Sequence, residues 1–203
     1  SPDGKWALVR GSEGGVQAVP TGAGEAHLIQ AGNAPIFGTG WFPDGKRVFF
    51  SSGPQAGERK LFVMDFPNGQ PKQLSSEALR LGFRNVVVLP DGRSVALTRT
   101  ASGRCILQPV EGGDPQPIPC PNGPVGGVSS DGKTWYVREG GVPAQLYRVD
   151  ILSGRKQLWK QVEPPDAAGT YRMDNFLVTP DGKSYVYTYR RILSDLYLIE
   201  GLK

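Results

Sequence analysis

The 203-residue chain has one histidine, two cysteines and two methionines. That inventory excludes most zinc, haem and histidine-based catalytic sites, which need several such ligands or a base beside a nucleophile. No apolar run approaches the ~18 residues of a spanning helix. Acidic clusters are missing too. Basic residues never run longer than a pair such as Arg190–Arg191, and the net charge of +4 is spread along the chain. Nucleic-acid binders gather basic residues on one face or in runs, so nucleic acid is not an expected partner. Ser1 already stands inside a repeated motif, so the lack of a targeting segment at the start carries no information.

Glycine (28) and proline (18) are abundant instead, with four- to six-residue apolar stretches between them. That pattern predicts many short strands joined by tight turns. One turn occurs five times. It reads Ser1-Pro2-Asp3-Gly4-Lys5, Phe42-Pro43-Asp44-Gly45-Lys46, Leu89-Pro90-Asp91-Gly92-Arg93, Ser129-Ser130-Asp131-Gly132-Lys133 and Thr179-Pro180-Asp181-Gly182-Lys183. Its glycines are 41, 47, 40 and 50 residues apart, a period of propeller blades. Proline presets φ, aspartate bonds nearby amides and glycine takes the left-handed position. The five aspartates are therefore read as structural, since one oxygen side chain per loop does not make a calcium site.

A strand is expected after each turn, at 7–9, 48–50, 95–97, 135–137 and 185–187, and another before it, as at 86–88 and 175–178. A third strand is expected at 61–65, 146–150 and 196–200. It leads through a hairpin turn at 67–70 or 152–155, Asn-Gly and Gly-Gly being dipeptides that suit a two-residue primed turn, to a fourth strand at 71–74 or 156–159. Four antiparallel strands per repeat make a propeller blade. Residues 75–81 could add one helical turn. The expectation is one all-β domain over 1–203: a β-propeller of four-stranded antiparallel blades with about five units visible, three complete and the first and last incomplete. From strand bookkeeping the expectation is that the chain is the C-terminal part of a six- or seven-bladed ring. Standing alone, its open blade edges would favour a homodimer.

With Trp41-Phe42-Pro43-Asp44-Gly45-Lys46 and Leu61-Phe62-Val63-Met64-Asp65 as its signatures, the chain resembles the TolB-type, WD-repeat-like (PD-repeat) propeller family along its whole length. The closing run Tyr189-Arg190-Arg191-Ile192-Leu193-Ser194-Asp195-Leu196-Tyr197-Leu198-Ile199-Glu200-Gly201-Leu202-Lys203 is similar to the C-terminal end of propellers attached to membrane serine/threonine kinases of acidobacteria. That resemblance implies a sensor module facing the periplasm or the outside, preceded by a membrane helix and a cytoplasmic kinase domain. No kinase motif occurs in these 203 residues. Prolyl-oligopeptidase-type hydrolases carry similar substrate-gating propellers, and TolB-like propellers serve as envelope scaffolds. Neither a catalytic residue nor a cofactor is expected within the chain.

Cys105 and Cys120 flank Glu111-Gly112-Gly113-Asp114. A two-residue hairpin centred on the glycines puts them face to face, close enough for a disulfide in an oxidising compartment. Alternatively both thiols are free and Cys105 takes the core position held by Leu61 and Leu146 in other repeats. His27 is read as a solvated or hydrogen-bonded structural residue. All four tryptophans fall at strand positions and are expected to pack.

Inter-blade loops are the expected binding face. They carry Arg59, Arg80, Arg84, Arg104, Arg172, Arg190 and Arg191 against Glu77, Glu163, Asp166 and Asp174. Arg84, Arg172, Asp174 and Arg190 are the candidate contacts of a mildly basic rim for a protein or peptide ligand, an acidic peptide above all, or a glycan.

Overall fold

All five copies of the repeated turn fold alike in the computed structural model, which describes residues 1–11, 15–30, 32, 34–54, 58–75, 78, 86–97 and 103–194. The amides of Gly4, Gly45, Gly92, Gly132 and Gly182 donate to the carbonyl three residues earlier at 2.8–3.0 Å. These glycines hold φ between +65° and +72°, a region that costs any other L-residue about 1–2 kcal/mol. Each aspartate accepts the amide two residues later on Oδ1, at 2.9–3.1 Å. The carboxylates are thus occupied by their own turns.

Among the described residues the turns connect strands into five antiparallel sheets, each in simple sequential order. The first sheet holds β1 (Trp6–Arg10), β2 (Val16–Pro20) and β3 (His27–Ile29). The second holds β4 (Ile36–Trp41), β5 (Arg47–Ser52), β6 (Lys60–Asp65) and β7 (Lys72–Gln73). In the third are β8 (Val86–Val88), β9 (Ser94–Leu97), β10 (Cys105–Pro109) and β11 (Gln116–Ile118). The fourth is β12 (Val125–Val128), β13 (Thr134–Glu139), β14 (Ala144–Asp150) and β15 (Lys156–Val162). The fifth pairs β16 (Thr170–Val178) with β17 (Tyr185–Arg191). The expected strand at 196–200 and the expected helical turn at 75–81 fall wholly or largely outside the described residues.

Four apolar clusters lie between consecutive sheets. Val16, Ala18 and Ile29 meet Val48 and Phe50; Phe42, Leu61 and Val63 meet Val95 and Ile106. Ala96 and Cys105 meet Trp135 and Val149, and Tyr136 and Leu146 meet Met173 and Phe176. Sheets two to four therefore bury both faces. This explains the apolar runs in β5 and β13, where a one-sided sheet would alternate. Burial of a side chain such as Phe50, Leu61 or Trp135 contributes about 1.5–3 kcal/mol. Polar staples add to it. Arg47 lies over the Phe42 ring at 4.5 Å, pairs with Asp44 at 2.8 Å and reaches the Gly92 carbonyl of the next repeat at 3.2 Å. Trp6, Trp41, Trp135 and Trp159 all pack against these clusters.

Three local expectations are corrected. Asn68 and Gly69 do not form a primed turn, because neither holds a positive φ; the Gly69 amide donates instead to the Asp65 carbonyl at 2.8 Å. His27 is a structural residue that is only partly solvated: it packs half-buried with its ring centroid 5.2 Å from Trp6 and 5.7 Å from Phe66. The β10–β11 hairpin pairs Cys105 with Ile118 rather than with Cys120, so its centre lies one residue earlier than the glycine pair suggested. Cys105 and Cys120 are nonetheless disulfide-bonded, with Cα atoms 5.3 Å apart. Cys105 also fills the expected core position, being 2% exposed.

Candidate binding rim

Arg172 and Arg190 are direct cross-strand partners in the β16–β17 ladder, a placement that like charges destabilise. Strand β16 carries two register irregularities, at 170–172 and 173–176. In the second, Met173 pairs with Tyr189 and Phe176 with Tyr187, leaving Asp174 and Asn175 opposite Thr188 alone. The Asn175 amide donates to Thr188 Oγ1 at 3.1 Å. This bulge, a device that re-aims side chains, sets Asp174 between the two arginines. Arg172 Nε is 2.5 Å from Asp174 Oδ1, and Arg190 Nε donates to Oδ2 at 2.6 Å. The Asp174 side chain is 15% exposed, whereas the arginines are 64% and 63% exposed. Burial works against the Asp174 charge, but the Arg190 hydrogen bond and both guanidinium charges outweigh it and hold the carboxyl below the ordinary aspartate range.

A second pair adjoins the first. Arg191 Nη2 donates to Asp166 Oδ2 at 2.7 Å, and Asp166 also accepts the Ala168 amide at 2.9 Å. The Ile192 amide donates to the Gly169 carbonyl at 2.9 Å, tying the 166–169 loop to the end of β17. Three rim arginines thus share two carboxylates, which leaves one net positive charge and several outward N–H donors. Such a surface can accept an anionic or hydrogen-bonding ligand.

Of the candidate contacts, Arg172, Asp174 and Arg190 form one cluster, while Arg84 lies outside the described residues, as do Arg80 and Glu77. Arg59 is elsewhere, stacked on Phe37 of the second sheet. The sequence reading did not single out Phe37. Among the described residues, no group of three or more histidine, cysteine, aspartate or glutamate side chains is placed to hold a metal ion.

Comparison with family profiles and with curated protein sequences finds no match. Solved structures do match. TolB from Acinetobacter baumannii superposes over 94% of this chain and 48% of its own, with a TM-score of 0.67 and 17% identity. A candidate TolB from Agrobacterium tumefaciens superposes over 94% of this chain and 68% of its own, with a TM-score of 0.63 and 20% identity. A candidate 6-phosphogluconolactonase from Bacteroides uniformis reaches a TM-score of 0.50 at 21% identity, over 91% of this chain and 61% of its own. The chain spans about half the length of the Acinetobacter protein it matches, and its fold is TolB-like.

Proposed function

We propose that the chain is a non-catalytic β-propeller module that binds a protein or peptide through its inter-sheet loops. The observation that carries this reading is the TolB-like fold over 94% of the chain. Fold alone does not assign function. The chemistry of the rim adds support, because the Arg172–Asp174–Arg190 cluster offers paired charges and donors suited to recognition. The proposed location is periplasmic or extracellular, where the Cys105–Cys120 bond persists.

The finer reading, the outward-facing sensor of a receptor serine/threonine kinase, rests on the resemblance of the run 189–203. A TolB-like envelope scaffold is the second reading, favoured by the superpositions. One experiment tests the shared core: the immobilised chain is screened against peptide and glycan arrays, with Arg172→Ala and Arg190→Ala variants in parallel. Peptide binding that these variants weaken is the expected result. Absence of peptide binding, or binding to glycans alone, overturns the reading. Sequencing the encoding gene upstream separates the two finer readings, since only the first requires a membrane helix and kinase motifs.

A further inference from the structure

Phe37 is the extra residue of a bulge in β4. Ile36 pairs with Ser52 and Gly38 with Ser51, which leaves Phe37 without a ladder partner. Its half-buried ring lies between elements of two sheets. The Arg59 guanidinium is 3.2 Å from the ring centroid and that of Arg10, at the end of β1, is 5.7 Å away. Both distances are within cation–π reach. A second close approach positions Arg59: a Cβ on Gly53 would stand 2.8 Å from Arg59 Cα and 2.9 Å from the Glu58 carbonyl. Only a residue without a side chain lets the 58–59 backbone lie there undisturbed.

These arginines differ from those of the rim. Neither Arg10 nor Arg59 has a carboxylate partner among the described residues; Arg59 Nε is buried without a hydrogen-bond acceptor, a feature it shares with Arg191 Nε of the rim. Desolvation first, and the Arg10 charge second, push the Arg59 guanidinium below its ordinary value. Two guanidiniums held around one ring, one of them with a buried unsatisfied donor, carry a cost that an oxyanion would relieve. Carboxylate and phosphate both match the planar fork of arginine. The ring beside them gives the aliphatic stem of an acidic side chain an apolar surface to lie on.

The geometry points to a carboxylate-binding site at Arg10, Phe37 and Arg59 that takes an acidic side chain of a peptide ligand. This inference rests on the reading of the chain as a binding module and names the group recognised. The test is calorimetric titration of the chain at low salt with acetyl-triglutamate amide and, separately, inorganic phosphate. Arg10→Ala, Arg59→Ala, Arg59→Lys and Arg155→Ala variants are titrated alongside, each first shown to melt as a folded protein. Triglutamate is expected to bind the native chain. Loss of either arginine should weaken it about tenfold or more, as removal of a charge-assisted contact does. Arg59→Lys should fall between, and Arg155→Ala, an exposed arginine outside both this site and the rim, should match the native chain. Phosphate binding as tightly as triglutamate, with the same arginine dependence, overturns the peptide carboxylate in favour of a phosphate group. Triglutamate that fails to bind, or that binds independently of Arg10 and Arg59, overturns the site. In that case, peptides found on the array still uphold the binding-module reading.

Discussion

Arg190 Nε donates to Asp174 Oδ2 at 2.6 Å across the β16–β17 ladder, while Arg172, directly opposite Arg190, holds the other oxygen of the same carboxylate. One carboxylate therefore keeps two opposed cations in register. Asp174→Asn preserves shape and removes the charge, leaving the arginines to repel. Thermal melting of this variant is expected below that of the native chain. Arg172→Gln added to it should restore part of the loss. A single variant that melts like the native chain would mean that water screens the cluster completely.

Acid should weaken the fold in a defined direction. Asp3, Asp131 and Asp181 are held below the ordinary 3.8, first by the hydroxyls of Ser1, Ser129 and Thr179 and then by the following lysine amides. For Asp44, burial pushes upward and is outweighed by the Lys46 amide and by Arg47. A group depressed in the folded state contributes its full stability above its unfolded value and loses it as pH falls through the folded one. Melting temperature should therefore be nearly flat from neutral pH to about 5 and drop below about 4. A melting temperature that rises on acidification would contradict the turn geometry.

The disulfide closes a loop with a sequence separation of 15, for which chain entropy predicts roughly 3 kcal/mol. Cys120 is exposed, so Cys120→Ser should cost about as much as reduction does. Cys105→Ala should cost more, because it also empties a core position packed among Ala96, Ile118 and Trp135. Urea unfolding of both variants, with and without reductant, checks the order. Equal costs would place Cys105 outside the core.

Gly126 matters for space and Gly132 for conformation. A Cβ on Gly126 runs into the Phe176 ring and backbone carbonyl at the seam of the fourth and fifth sheets, so Gly126→Ala should destabilise by about 1–3 kcal/mol. Gly132 meets only ordinary contacts but holds φ +71°, so Gly132→Ala should cost about 1–2 kcal/mol. Gly22→Ala, with nothing within 4 Å, is the control expected to lie near zero. Denaturant midpoints of the three variants test the ranking.

The repeat was legible because its chemistry is local. The bonds that close each Asp-Gly turn, from the glycine amide and to the aspartate carboxylate, are made within a few residues, so the motif itself determined five turns and the strands beside them. The partnership of Cys105 and Cys120 was readable for the same reason, but their register was not. Hairpin spacing assumes a tight two-residue turn, and the actual turn sits one residue earlier. Asn68-Gly69 misled in the same way, since the dipeptide permits a primed turn without enforcing it.

The rim was half legible. Strand order suggests that Arg172, Asp174 and Arg190 lie near one another, but on loops; the structure puts all three inside strands β16 and β17, and only the bulge in β16 turns Asp174 between the two arginines. Arg10 and Phe37 could not have been chosen from the sequence at all. They belong to different repeats and meet, with Arg59, because the first sheet packs on the second and a bulge displaces one ring. Local backbone chemistry repeats with the sequence and can be read from it. Contacts between sheets depend on register and packing summed over many distant residues, and only the tertiary structure decides them.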